Sequence, residues 1–326
     1  MGQEGTNQNG VSGKQDGSTN TYQALRQSLM PFLAGSLAGV VTKTSTAPLE
    51  RVKTMLQVEG MALQRKLLTE TGGNAGVLKP SSILQVMRSI FAADGLRGFW
   101  YGNGANCLRV VPVYALKFGF NDSIKSWVRT TPDEKLSFGQ LVASGTLAGS
   151  IQMFTTYPLE VVRTRLTVGK AYGASYNGIF HCFSSTLKHE GIRGLYKGLS
   201  PTILTGSPYV GLQMSCFEMV RRKAEELGIL HDMKTAQSVV CGALAGIIAQ
   251  TITYPGDTVR KRMQTDGIRG TEKMYRGMWH CTMSVFKTEG PSAFFAGLAA
   301  NVIRGIPGAG IQFAAYNFFK DLLLSD

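Results

Sequence analysis

Long runs of small and apolar residues alternate along this chain with short charged stretches. Residues 30–47 are 18 mostly small or apolar positions around a single Lys43, and a helix begun there can continue through charge to about residue 58. That approaches the roughly 20 residues needed to cross a bilayer core. Residues 137–168 and 234–265 repeat the plan. A second long apolar segment follows each, at about 102–128, 198–223 and 297–323, and these three align without gaps. Pro112, Pro208 and Pro307 fall in register, as do Arg109, Thr205 and Arg304. Before the first of them lie a polar stretch, 59–79, predicted as a loop, and a short amphipathic segment, 81–93. The pattern predicts an all-α membrane protein with six transmembrane helices in three pairs, each pair carrying a short helix. Six spans put both termini on one side.

The charged stretch that ends each first helix is a copy. Pro48-Leu49-Glu50-Arg51-Val52-Lys53 recurs as Pro158-Leu159-Glu160-Val161-Val162-Arg163 and as Pro255-Gly256-Asp257-Thr258-Val259-Arg260, 110 and then 97 residues on. Self-similarity at that period marks three units of one body: 28–130, 131–229 and 230–326. They follow a tail, 1–27, rich in Gly, Asn, Gln, Ser and Thr and predicted to be disordered. An acid and a base three residues apart share a helix face. The proline above them can kink the helix and tilt that face inward. Three such pairs, Glu50/Lys53, Glu160/Arg163 and Asp257/Arg260, can close a ring of alternating charge about a three-fold axis, which is a natural gate.

Further copies sharpen the plan. Asp122/Lys125, Glu218/Arg221 and Asn317/Lys320 form a second set at the other end of the bundle; the third lacks its acid, so a weaker ring is predicted there. Gly35/Gly39, Gly145/Gly149 and Gly242/Gly246 are spaced to let helices approach closely. The acid–glycine pairs Asp94-Gly95, Glu190-Gly191 and Glu289-Gly290 read as helix ends with a left-handed cap. The aromatics that follow them, Trp100, Tyr196 and Phe295, suit a membrane interface.

A net charge of +13 calls for anionic partners: nucleic acid, an anionic membrane surface or an anionic solute. The basic residues are spread over loop ends and no RNA- or DNA-binding module is present, so nucleic acid is not the expected partner. Mean hydropathy is +0.01, low for a membrane protein unless each helix turns one face to lipid and one to water. The five cysteines are scattered without a CxxC or Cys/His cluster, so neither metal nor disulfide is expected. The four histidines fall outside the predicted spans. His189 beside Glu190 has no nucleophile or phosphate loop with it, so neither enzyme chemistry nor a cofactor is expected. The first 25 residues lack the Arg-rich amphipathic character of a transit peptide, although the start fits the permissive myristoylation pattern.

Charge within a spanning helix is costly and usually functional. Four bases fall where the helices face one another: Lys43, Arg109, Lys117 and Arg304, with no acid at matching depth. A hollow with up to four uncompensated cations calls for a multiply charged anion, most naturally a polyphosphate. Lys117 has a second reading, as a snorkelling or structurally paired residue. Tyr114 and Tyr209 lie near the same level, where they either meet a base or phosphate or simply pack.

The triplicated Px[DE]xx[KR] motif, the downstream acid–glycine element and the six spans resemble the mitochondrial carrier family over residues 28–323. The resemblance implies a monomeric inner-membrane transporter working by alternating access, with membrane lipid, cardiolipin included, as a partner. It implies that Glu50, Lys53, Glu160, Arg163, Asp257 and Arg260 close the matrix side. Asp122, Lys125, Glu218, Arg221 and Lys320 would close the cytoplasmic side. It also implies braces nine residues after the proline, where Gln57 and Gln264 stand and Thr167 does not. The sequence is similar to the adenine-nucleotide group, the ADP/ATP, ATP-Mg/phosphate and coenzyme A carriers. On that resemblance Lys43, Arg109, Tyr209 and Arg304 hold phosphate and adenine. At the fourth-helix contact point stands Thr205-Gly206 where strict exchangers have glycine and an aliphatic residue, and Arg260-Lys261-Arg262-Met263 replaces their arginine–methionine signature. A proton-leak carrier of the same fold is the remaining alternative.

Overall fold

A computed structural model of the chain describes residues 16–71, 81–128, 138–226 and 234–324; over 16–29, 65–71, 117–128, 138–149 and 234–239, and at scattered other positions, the backbone alone is described. A long helix, a short helix and a second long helix occur three times in succession. They are α1 (Asp16–Thr71), α2 (Ile83–Asp94) and α3 (Asn103–Val128); α4 (Phe138–Val168), α5 (Ile179–Leu195) and α6 (Leu199–Glu226); α7 (Lys234–Thr265), α8 (Met278–Thr288) and α9 (Leu298–Leu324).

The six long helices close a ring. α1 packs along α9, α3 along α4 and α6 along α7; α1 also meets α3. The three first helices, α1, α4 and α7, touch one another as well. Small residues permit the close packing: Ala34 and Ala38 are fully buried beside Gly35 and Gly39, and a Cβ on Gly242 would meet the Phe217 ring at 4.0 Å. The packing of Gly145 and Gly149 lies outside the described residues.

The proline of each motif sits inside an unbroken helix. A proline there leaves the carbonyl four residues back without its donor. In α1 that carbonyl belongs to Thr44, and the Trp100 indole donates to it at 3.0 Å. The aromatic read as an interface anchor therefore also satisfies the backbone that Pro48 disrupts.

α2 begins with a capping box, Ser82 and Gln85 exchanging side-chain and backbone hydrogen bonds. The short helices turn one face to the bundle and leave the other bare. Val86 and Ile90 of α2 are buried with Val52, Leu56 and Phe99, while Leu84 and Phe91 are exposed. Cys281 and Val285 of α8 are buried, while Trp279 and Phe286 are exposed.

Three expectations need correction. α1 begins at Asp16, within the polar tail, and ends at Thr71, well into the stretch predicted as a loop. Its extension has a tertiary cause. Val58 packs with Val168, Ala174 and Ile268, and Met61 with Val259, Tyr275 and Phe294. Residues 1–15 and 72–80 lie outside the described residues. The caps at Gly95, Gly191 and Gly290 have positive φ, 64°, 67° and 82°, but extended ψ, so they are not left-handed helical caps. The all-α plan of three repeats holds; by length and composition one described helical stretch, Pro291–Leu323, passes as a membrane span on hydropathy alone. The motif charges of α1, α4 and α7 stand where those three helices meet.

Candidate functional site

Where α1, α4 and α7 converge, each motif acid meets the base of the next repeat. Arg163 Nη2 reaches Glu50 Oε1 at 2.6 Å, Arg260 reaches Glu160, and Lys53 Nζ stands 3.9 Å from Asp257 Oδ2. Six residues from three helices thus form one closed circuit. Its side chains are largely shielded, so solvent screens these pairs less than an exposed pair, and removing one partner would leave a shielded charge unpaired.

One glycine per repeat makes the circuit possible. Gly102, Gly198 and Gly297 have φ of 84°, 81° and 84°. A Cβ there would stand 3.1, 2.9 and 2.9 Å from the backbone carbonyls of Arg163, Arg260 and Lys53, the bases of the circuit. Each glycine lets one repeat press against the motif of the next.

The cavity cations gather beside the circuit. Lys43 lies within electrostatic reach of Glu50, Arg163, Arg304 and Arg109. Arg304 donates to Asn301 Oδ1 at 3.1 Å, and its buried Nε has no partner among the described residues. Arg109 is not the uncompensated cation the sequence suggests: its Nη1 lies 3.2 Å from Glu160 Oε2. No acid shares Arg109's depth along the chain, but an arginine is long enough to reach the circuit. Thr205 turns its hydroxyl back to the Pro201 carbonyl at 2.7 Å, and a Cβ on Gly206 would meet Met153 at 3.4 Å. Tyr209 is half-buried. The side chains of Tyr114 and Lys117 lie outside the described residues.

The profile described as mitochondrial carrier protein matches residues 26–132, 134–226 and 231–326, one stretch for each copy of the motif. The chain belongs to the mitochondrial carrier family. Similar carriers include the mitochondrial adenine nucleotide transporter of Arabidopsis thaliana, 34% identical over 90% of this chain and 86% of that one. The mitochondrial carrier protein CoAc1 of Zea mays is 34% identical over the same shares, 90% and 86%. The mitochondrial adenyl nucleotide antiporter of Mus musculus is 32% identical over 90% of this chain and 58% of its own length.

In this carrier Gln264 is fully buried and well held. Its amide donates to the Tyr157 hydroxyl at 3.0 Å and accepts from Thr164 at 2.9 Å and Lys261 at 3.1 Å. The side-chain amide of Gln57, as deeply buried and close to the Tyr254 hydroxyl, finds no hydrogen bond of ordinary geometry among the described residues. Thr167 bonds its own helix, at the Arg163 carbonyl. At the far end Glu218 takes Arg222, its i+4 neighbour, at 3.2 Å, and both are well exposed; Lys320 is exposed too. Arg221 lies beside them on α6 and is exposed. The side chains of Asp122 and Lys125 lie outside the described residues.

Two groups escaped the sequence reading. Lys261 Nζ joins Glu160 at 3.3 Å; its signal is a break in register, because Thr54 and Thr164 hold the equivalent places. The second group is a buried ring of structural ion pairs on the acid–glycine elements. Arg51 takes Asp94 at 2.8 Å, Arg165 takes Glu190, and Arg262 takes Glu289. Arg165 and Arg262 stand seven residues after their prolines. Repeat one has Met55 there and uses Arg51 instead, which hid the pattern.

Proposed function

We propose that this protein is a multi-pass, monomeric carrier of the mitochondrial inner membrane that exchanges adenine-nucleotide-type anions such as ATP, ADP and AMP by alternating access. It is a transporter and not an enzyme. The observation that carries this reading is the gathering of Lys43, Arg304 and Arg109 against one face of the closed circuit. A polyanion entering from that face meets cations first and the gate second. On the family's orientation the closed circuit is the matrix gate, and the bundle stands open toward the cytoplasm. Glu50, Lys53, Glu160, Arg163, Asp257 and Arg260 are its bars, with Gln264 as its firmest brace. Lys43, Arg109, Arg304, Thr205, Gly206 and Tyr209 line the way to it, with Tyr114 and Lys117 on the same walls. Asp122, Lys125, Glu218, Arg221 and Lys320 are the residues that would close the opposite mouth, with cardiolipin among the lipids outside. The names of the Arabidopsis and mouse relatives support the nucleotide class.

A second reading, a carrier of coenzyme A or a related nucleotide derivative, is favoured by the CoAc1 relatives. Counter-exchange in liposomes separates the two. The expected result is uptake of labelled ADP driven by internal ATP, lost in Arg304→Ala and Arg109→Ala while both variants keep their cooperative melt. Exchange of coenzyme A alone selects the second reading. Proton flux without exchange removes both.

A further inference from the structure

α1, α4 and α7 meet at three joints, and two of them bring a matched pair of side chains together. The tyrosine before a motif proline meets the glutamine nine residues after the proline of the next repeat. The Gln264 amide donates to the Tyr157 hydroxyl at 3.0 Å, and Gln57 lies close to Tyr254. At the α1–α4 joint the same register positions hold Ala47 and Thr167. Both are smaller, and a pocket with ≈ 10 Å³ of room lies there, with Ala47, Glu50, Arg51, Asn106, Arg163 and Thr167 on its wall.

Two buried polar atoms of that wall have no partner among the described residues. One is Asn106 Oδ1. Asn106 Nδ2 faces Glu50 Oε2 at 3.4 Å; a carboxylate only accepts, so the amide cannot be turned round and its oxygen is the free end. Its register mates are satisfied by protein. Thr202 bonds the Tyr157 hydroxyl at 3.2 Å, and Asn301 Oδ1 accepts from Arg304 at 3.1 Å. The other atom is Arg51 Nε. Arg51 gives its remaining nitrogens to the Gly98 carbonyl and to Asp94. In the other repeats the buried arginine stands four positions further along, and its Nε donates to a carbonyl of the next repeat: Arg165 to Gln264 at 3.1 Å, Arg262 to Gln57 at 3.0 Å. The shift of register that gives repeat one Arg51 costs it that carbonyl.

We infer that one water molecule is a fixed part of the α1–α4 joint, accepting from Arg51 Nε and donating to Asn106 Oδ1. A buried polar atom left without a partner is unfavourable, and buried waters bond about three such groups each. The Glu50 carboxylate, on the same wall, takes the second proton. The wall's chemistry selects water over other occupants. A metal cation would stand against the guanidinium groups of Arg51 and Arg163. An anion would stand against Glu50 and the Asn106 oxygen. An apolar group would leave both atoms unsatisfied. One donor and two acceptors around about one water's volume fit a water. The chain Glu50–Asn106–water–Arg51–Asp94 then ties a circuit acid to the ion pair that pins α2. At the α4–α7 joint Gln264 makes the same link with protein atoms alone, its amide on Lys261 and its carbonyl on Arg165. The water belongs to the joint whatever solute the protein carries.

Water-edited solid-state NMR of the full-length protein in liposomes, with nitrogen-labelled arginine, tests the site. Arg51 Nε–H is expected to receive magnetisation from water. Arg165 and Arg262, as deeply buried but bonded to carbonyls, are expected to receive none. Thr167→Gln puts a longer side chain into the pocket and is expected to abolish the Arg51 signal. No transfer to Arg51 in the wild type, or equal transfer to all three arginines, overturns the fixed water. So does an Arg51 signal that survives Thr167→Gln, because the water reaching it would then lie elsewhere. Should the glutamine variant not fold, the comparison of the three arginines in the wild type decides alone.

Discussion

A single atom governs how closely the repeats can meet. Gly297 combines a φ of 84° with a vacant Cβ site 2.9 Å from the Lys53 carbonyl. Substitution by alanine meets both a strained backbone, costing ~1–3 kcal/mol, and a collision with main chain that cannot step aside. Gly104, in the first turn of α3, has open space around its Cβ site and no positive φ. Gly297→Ala is expected to lower Tm by several degrees, and Gly104→Ala to leave it unchanged or raise it, because alanine favours a helix by ~1 kcal/mol over glycine. Differential scanning of both variants checks this. Equal behaviour would show that the carbonyl contact does not limit the approach.

Between the long helices the short ones are pinned by buried ion pairs, and α5 is the clearest case. Arg165, fully buried, grips both oxygens of Glu190 and also donates to Thr186 and to the Gln264 carbonyl. Lys197 adds a second ion pair on Glu190. Removing one partner of such a pair costs ~3–5 kcal/mol because a charge is left buried, while replacing both with apolar residues is often neutral. Arg165→Met is therefore expected to be far less stable than Arg165→Met combined with Glu190→Leu, as read from denaturant or thermal midpoints. The same pair sets a pH dependence. Burial pushes the Glu190 carboxyl up, but hydrogen bonds and charge from Arg165 and then Lys197 outweigh it and hold the group below the usual range. Its stabilisation is then complete above the unfolded value of about 4.3 and fades as pH falls through the lower folded value. The Tm gap between wild type and Glu190→Gln is expected to be constant from neutral pH to about pH 5 and to close below that. None of this pinning was legible in the sequence, because the arginine changes register between repeats: Arg51 stands three residues after its proline, Arg165 and Arg262 seven. What repeats in register, the six long helices and the six bases and acids of the circuit, could be read from periodicity alone. What depends on contacts between repeats could not: the extension of α1 that Met61 anchors on repeat three, the reach of Arg109 to Glu160, and the extra cation Lys261.

Across the whole molecule the three-fold plan is kept in the backbone and broken in the circuit, so its joints are not tied alike. The α4–α7 joint is the best tied, with Glu160 held by Arg260 and Lys261 and Gln264 packed against Gly198 beneath it. The α1–α4 joint has one strong pair, Arg163–Glu50, and Thr167 where the brace would be. A small pocket opens there, with ≈ 10 Å³ of room, Glu50, Asn106, Arg163 and Thr167 among its lining; that is about the least volume that holds one water. The buried Asn106 Oδ1 has no partner among the described residues. A glutamine at 167 would lie over Gly102 as Gln264 lies over Gly198, would fill the pocket and would bring a donor within reach of Asn106 Oδ1. One net hydrogen bond gained in the closed form is worth ~0.5–1.5 kcal/mol, enough to slow an opening step roughly 2- to 10-fold. Thr167→Gln is therefore expected to raise Tm while lowering the exchange rate. Thr167→Val, which cannot bond Asn106 Oδ1, should leave the rate near that of wild type. A glutamine variant that melts higher yet exchanges at full speed would mean that this joint does not take part in opening.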